Sequence, residues 1–192
     1  MVTGLNVSET ELVNRAQNGD RNAFSELVRN HAQGVLNVIY RMCGDAHIAE
    51  DAAQETFIQA WLHLSTYRPQ TSLRNWLYRI AVNAATDLLR KEKHILPNSL
   101  EDLQLTDGQP GPESLTSQKE RIVLVQKAVL ALPEASRAVV VLREYEGLSY
   151  QEISSTLEIP IGTVMSRLNY ARKLLKEKLE QSFVLPVEVD YA

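Results

Sequence analysis

Apolar residues recur every three or four positions along most of this chain, and the places where that rhythm stops divide it into helices. Ser8-Glu9-Thr10-Glu11 has the form of a capping box, in which the serine oxygen takes an orphan amide and the glutamate reaches back, so a first helix is predicted there. Asn18-Gly19-Asp20 breaks it. Asp20 is placed to cap a second helix, whose stripe is Phe24, Leu27, Val28, Val35, Val38 and Ile39. Gly44-Asp45 ends that helix, and Asp45 caps a third carrying Ile48, Ala52, Phe57, Ile58 and Trp61. Beyond the loop Tyr67-Arg68-Pro69-Gln70-Thr71, a fourth helix is predicted from about Ser72 to Lys93, with Leu73, Trp76, Leu77, Ile80, Ala81, Ala84 and Leu88 on one face.

From His94 to about Ser117 the periodicity disappears. Pro97, Gly108, Pro110, Gly111 and Pro112 alternate there with Glu101, Asp102, Asp107 and Glu113, which is the composition of a flexible, acidic linker. Helical spacing returns at Ile122, Val125, Val129 and Leu132, stops near Pro133 and resumes through Val139, Val140, Leu142 and Tyr145. Val139-Val140-Val141 has strand propensity, but its flanks favour a buried helix. Ser149-Tyr150-Gln151-Glu152 is a second capping box, opening a short helix with Ile153 and Leu157 inward. The turn Glu158-Ile159-Pro160-Ile161-Gly162 follows, and then a longer helix from about Thr163 with Val164, Leu168, Ala171, Leu175 and Leu179 on one stripe. The pattern predicts an all-α protein of two small helical domains, 1–93 and 118–182, joined by the linker 94–117. The second contains a helix-turn-helix, and a tail, 183–192, has no assigned role.

Composition narrows the function. Nothing at the N-terminus has the form of a secretory signal and no apolar run is long enough to span a bilayer, so a cytoplasmic protein without membrane insertion is expected. Cys43 is the single cysteine, which leaves no intrachain disulfide and no Cys-Cys zinc pair; its helical spacing suits core packing. A net charge of −4 argues against a surface wrapped throughout by nucleic acid. The distribution is more telling than the sum. Acids outnumber bases between Ser8 and Ser65, whereas Arg68, Arg74, Arg79, Arg90, Lys91 and Lys93 are opposed only by Asp87 and Glu92. Arg167, Arg172, Lys173, Lys176 and Lys178 form a second basic stretch. This alternation predicts two localised nucleic-acid contacts and a separate acidic surface for another partner.

The stripe of the last helix leaves Thr163, Met165, Ser166, Arg167, Asn169 and Tyr170 near its exposed start. A DNA-reading helix uses that end, where free amides and the dipole also suit phosphate, and Arg172, Lys173 and Lys176 follow where backbone contacts anchor the register. In isolation a plain helical hairpin with a solvated basic face fits these residues equally well. However, the run from Leu142 to Ile153, Leu-Arg-Glu-Tyr-Glu-Gly-Leu-Ser-Tyr-Gln-Glu-Ile, and the run from Ile159 to Leu168 closely resemble the fourth conserved domain of bacterial RNA polymerase sigma factors. The resemblance implies binding of the −35 promoter element through Tyr150, Thr163, Met165, Ser166, Arg167, Asn169, Tyr170, Arg172 and Lys173. Many relatives carry a basic residue in place of Met165, so one contact is either lost or replaced by an apolar contact to a thymine methyl, with a consequence for the promoter sequence read.

In the first half, Asp51, Gln54 and Glu55 share one helical face, with His47 and Glu50 close by. A carboxylate-histidine metal site is one reading, but no Glu-x-x-His pair occurs and the other histidines lack ligand spacing, so no metal and no cofactor are expected. A solvated acidic face is the ordinary alternative. Asp51-Ala52-Ala53-Gln54-Glu55-Thr56-Phe57 with Trp61 resembles the segment by which sigma factors dock on the clamp of the largest polymerase subunit. That implies core-polymerase binding by Asp51, Gln54 and Glu55, with Phe57 and Trp61 mainly packing the core. The run from Tyr67 to Asn83 resembles the part of the second conserved domain that melts promoters and reads the −10 element, implying roles for Tyr67, Arg68, Thr71, Ser72, Tyr78, Arg79 and Asn83. Aromatics, arginines and an asparagine suit unpaired bases and their backbone. Trp76 lies on the apolar stripe and reads as core, Tyr67 lies outside any stripe, and Asn83 is dispensable to packing. Pro69 stands where relatives commonly have glycine, which stiffens the loop.

The resemblance runs from about Ser8 to Lys93 and again from Ser117 to Leu179, and implies an extracytoplasmic-function sigma factor of the sigma-70 family. Such a protein binds core RNA polymerase and promoter DNA, recognises −10 and −35 elements, helps melt the former, and has no catalytic chemistry of its own. The resemblance also implies an inhibitory anti-sigma partner. In relatives the linker threads near the active-site and RNA-exit channels, where its acids would mimic nucleic acid; ordinary solvation explains the same composition. Two other classes compete. One is a helix-turn-helix regulator binding duplex DNA without polymerase, and the other is a helical metal-carboxylate hydrolase built on Asp51, Glu55 and His47.

Overall fold

The helix starts are set by the side chains that the pattern singles out. Ser8 Oγ accepts from Glu11 N (3.2 Å), Asp20 Oδ1 from Asn22 N (2.9 Å) and Ala23 N (3.1 Å), and Asp45 Oδ1 from Ile48 N (2.9 Å). At Ser149 the box is reciprocal: its hydroxyl accepts from Glu152 N (3.2 Å), and Glu152 accepts from Ser149 N (2.7 Å). Each cap satisfies amides that a helix start otherwise leaves without partners.

The computed structural model describes residues 8–68, 71–95 and 116–183. Pro69, Gln70, most of the acidic linker and the tail after Phe183 lie outside the described residues. Among those described, every regular element is helical. The order is α1 (Glu9–Gln17), α2 (Arg21–Cys43), α3 (Ala46–His63) with a 3-10 turn at Leu64–Thr66, and α4 (Leu73–Ile95). Then come α5 (Thr116–Leu130), α6 (Glu134–Val140), α7 (Tyr150–Leu157) and α8 (Ile161–Phe183). The valine run is helical as its flanks predict, but at Val141–Tyr145 α6 widens into a π turn in which Glu146 N reaches Val141 O at 3.3 Å.

In the first unit α2, α3 and α4 pack on one another and α1 lies along α2, around buried Leu27, Val35, Ile39, Met42, Leu64, Leu77 and Ala81. In the second, α6 packs against α8 over Val139, Leu142, Leu148, Ile153 and Leu168. Burying a side chain of this size stabilises by roughly 1.5–3 kcal/mol, so each unit has a core of its own.

The two units also meet. The C-terminal end of α2 lies against α5 and α6, and α4 lies against α7, so that the buried residues form one continuous cluster. Buried Arg137 of α6 joins the first of these contacts. Its guanidinium donates to the Met42 and Leu130 carbonyls and to Leu132 O at 3.0 Å. Met42 and Leu130 lie in the last turns of α2 and α5, where carbonyls lack helical partners and the dipole favours a cation. Gly44, at φ 82, closes α2 at the same place, and a Cβ there would stand 2.6 Å from Leu130 Cδ1.

Candidate nucleic-acid interface

The helix-turn-helix consists of α7, a three-residue turn and α8. Glu158 ends α7 in the left-handed region (φ 51), Ser154 Oγ donates to Ile159 O (2.6 Å), and Pro160 O accepts from Thr163 N (2.8 Å) as α8 begins. α8 therefore starts at Ile161, slightly before the predicted point. Ile153 and Thr156 of α7 and Val164, Leu168 and Ala171 of α8 are buried, which fixes the angle between the helices.

That packing turns the rest of the start of α8 outward. Met165 is 48% and Tyr170 52% exposed, and Ser166, Asn169, Arg172 and Lys173 are also exposed, while Thr163 and Arg167 are half-buried. Arg172 lies 3.4 Å from Glu144 and beside Tyr150; the Tyr150 hydrogen bond, then Glu144, push its guanidinium further towards the charged form. Tyr150 is half-buried beneath Arg143, 5.2 Å from the ring centre. Farther along, Lys173 pairs with Glu177 (4.0 Å) and Lys176 with Glu180 (3.7 Å).

The residues expected to meet a −10 strand fall into two groups. Arg68, Ser72 and Asn83 are exposed and Thr71 is half-buried on the loop and outer face of α4. Ser72 also accepts from Asn75 N (3.2 Å), so it starts the helix. Tyr67 departs from expectation: although outside any stripe, it is buried, its ring 5.1 Å from Trp76 and its hydroxyl donating to Thr71 O (2.8 Å). It shapes the loop from within. Tyr78 is buried and donates to Glu146, and Arg79 pairs with Glu158, both across the seam between the units. Burial, then the Glu146 contact, push the Tyr78 hydroxyl well above the usual tyrosine range. Sequence reasoning missed Glu146 and Glu158. Both lie far along the chain from their partners on α4, so no local pattern signals them.

On α3, Asp51, Gln54 and Glu55 are exposed on one face, with Glu55 accepting from Gln59 (2.7 Å). Phe57 is half-buried against the core, and Trp61, also half-buried, stands 4.9 Å from Phe24. Ile58, counted with the apolar stripe, is 53% exposed, and Leu62 is 62% exposed. The acidic face is thus bordered by apolar surface, a combination suited to a protein partner. Among the described residues no cluster of histidine, cysteine and carboxylates is arranged to hold a metal. None of their helices is long and apolar enough to cross a membrane.

Comparison with known proteins agrees with the division into units. Residues 27–95 match the family model described as sigma-70 region 2, and residues 122–175 match sigma-70, region 4. The chain is 36% identical to the RNA polymerase sigma-H factor of Pseudomonas aeruginosa, over 90% of this chain and 94% of that one. It is 33% identical to the ECF RNA polymerase sigma factor SigW of Bacillus subtilis, over 87% and 94% respectively. Among solved structures it resembles CnrH in complex with the cytosolic domain of CnrY, at a TM-score of 0.66 and 25% identity, covering 88% of this chain and 96% of that one.

Proposed function

The chain belongs to the extracytoplasmic-function sigma factors of the sigma-70 family, initiation factors that direct RNA polymerase to promoters, and on that premise we propose how its surfaces divide the task. The exposed start of α8 reads the −35 element in the major groove. Met165 and Tyr170 offer apolar contact, Arg167 and Asn169 hydrogen bonds to base edges, and Arg172 and Lys173 phosphate contacts. Arg68, Thr71, Ser72 and Asn83, with Tyr78 and Arg79 once released, take the melted −10 strand, and Tyr67 supports their loop. Asp51, Gln54 and Glu55 dock on basic groups of core polymerase. The factor itself performs no catalysis, because RNA synthesis belongs to the polymerase, and it acts in the cytoplasm where polymerase and promoters are.

The observation that carries this reading is the outward array on α8, held by buried packing between α7 and α8 and joined in one chain to a second unit with its own outward acidic face. A regulator acting alone needs no such face. CnrH was solved bound to the cytosolic domain of another protein, which supports the inference that an anti-sigma partner covers surfaces of this chain as well.

The test is promoter-specific transcription by core polymerase from the source organism's DNA, with wild type, Asn83→Ala and Arg167→Ala. Specific transcripts that weaken in both variants are expected. Tight binding to duplex DNA without polymerase binding would refute the reading.

A further inference from the structure

The centre of the outward face at the start of α8 carries no charge. Val164, Leu168 and Ala171 are buried, and at about 100° per residue Ser166 and Asn169 stand opposite that stripe, with Met165 on one flank and Tyr170 on the other. All four are exposed. The cations stand around this patch. Arg167 is half-buried beside the core stripe, Arg172 is tied to Tyr150 and Glu144, and Lys173 pairs with Glu177. Ser166 Oγ donates to Thr163 O (3.0 Å), so its hydrogen is used inside the helix and only its lone pairs face outward.

Gly162 lies one turn before Ser166 on the same face. A Cβ there would meet open space, and its φ is not positive, so neither packing nor backbone geometry calls for glycine in the first turn of this helix. Close approach of another molecule to the backbone does. In the major groove guanine presents two acceptors, O6 and N7, which an arginine or lysine meets best, and the patch holds neither. Adenine pairs an acceptor, N7, with a donor, N6, and an asparagine amide matches both; thymine presents a 5-methyl group, against which a thioether side chain packs well. Met165 and Asn169 are about 6 Å apart along the helix axis, less than two base-pair steps of about 3.4 Å.

We propose that this chain reads two A·T pairs of its −35 element through uncharged contacts, Met165 packing on a thymine 5-methyl group and Asn169 bonding N6 and N7 of an adenine. This rests on assigning the start of α8 to that element. Because neither contact involves a cation, discrimination at these two pairs persists as salt is raised, while overall affinity, set by cations at phosphates, falls.

The experiment uses the full chain bound to core polymerase, with a promoter recovered by the transcription test above. On both strands of its −35 element, thymines are replaced one at a time by uracil and adenines by 7-deazaadenine, and affinity is read by competition at fixed salt. At one thymine, uracil should weaken wild type about fourfold, as expected for one buried methyl group, while Met165→Ala binds the two duplexes alike. At one adenine, 7-deazaadenine should weaken wild type about fivefold, and Asn169→Ala should lose that sensitivity. Met165→Arg should move the preference at the uracil-sensitive pair towards G·C. Insensitivity of wild type at every thymine or at every adenine, or a sensitivity that survives in the matching variant, overturns the proposal. A promoter with a scrambled −35 element is assayed alongside. If scrambling abolishes specific transcription while the base analogues change nothing, the two A·T contacts fail and the promoter reading stands; if scrambling changes nothing, the promoter reading of α8 fails and these contacts with it.

Discussion

Replacing Arg137 with methionine tests the energetic link between the two units. Methionine roughly keeps the side-chain length and leaves little cavity, so the change isolates the loss of donors. Three carbonyls, of Met42, Leu130 and Leu132, lose their partner in a buried site, two of them in the last turns of helices. Hydrogen bonds from a charged donor are worth about 1.5–3 kcal/mol each. Burial pulls the Arg137 guanidinium down from its ordinary pKa, so part of that gain is offset by the cost of burying the charge. A net loss of about 3 kcal/mol is expected, or a fall in Tm of roughly 6–12 °C for a chain of this size.

Urea unfolding followed by two probes gives the sharper result. Both tryptophans, Trp61 and Trp76, lie in the first unit, while circular dichroism reports helices of both. Because Arg137 belongs to the second unit but holds a carbonyl of α2, the variant should lower the fluorescence midpoint as well as the dichroism midpoint. Arg137→Lys, which keeps the charge but not the fork of donors, should recover less than half of the loss. A shift below about 1 kcal/mol, or an unmoved tryptophan curve, would refute the argument that this side chain couples the units.

Gly34→Ala should destabilise by about 1–2 kcal/mol in thermal melts, although alanine is the better helix former, because the new methyl displaces Tyr78 from Glu146. Ser149→Ala should cost about 1 kcal/mol by removing half of the box that opens α7, again read by melting. Glu152 is held below its ordinary pKa of 4.5, first by the Ser149 backbone amide and then by its hydroxyl, so its stabilisation is present above that pH and fades as pH falls below it. Glu152→Gln should accordingly flatten the acid limb of the Tm-against-pH curve. Charge reversal at Asp51 and Glu55 together should weaken binding to core polymerase at least tenfold in a pull-down titration while leaving Tm within a few degrees, since both are exposed.

Features that depend only on near neighbours along the chain are legible in the sequence. Ser8, Asp20, Asp45 and Ser149 cap helices because the amides they satisfy are two or three residues away, and the stripes through α2 and α8 follow from the helical repeat alone. The same local logic leaves the start of α8 outward and the carboxylates of α3 on one face. It misplaces Ile58, because a stripe does not say how far the neighbouring helix extends over it, and Tyr67, because a residue between helices can still be folded inward by an aromatic partner nine positions on.

What the sequence determined by itself was therefore the two helical units, the helix-turn-helix and the family they belong to, all written in short-range periodicity, caps and motifs. Only the tertiary structure decided that Arg137 serves the ends of two helices, that Gly34 yields its place to Tyr78, and that Glu146 and Glu158 lie on Tyr78 and Arg79. These partners are separated by long stretches of chain, and their meeting depends on how the units dock, through charges and shapes that no local pattern records.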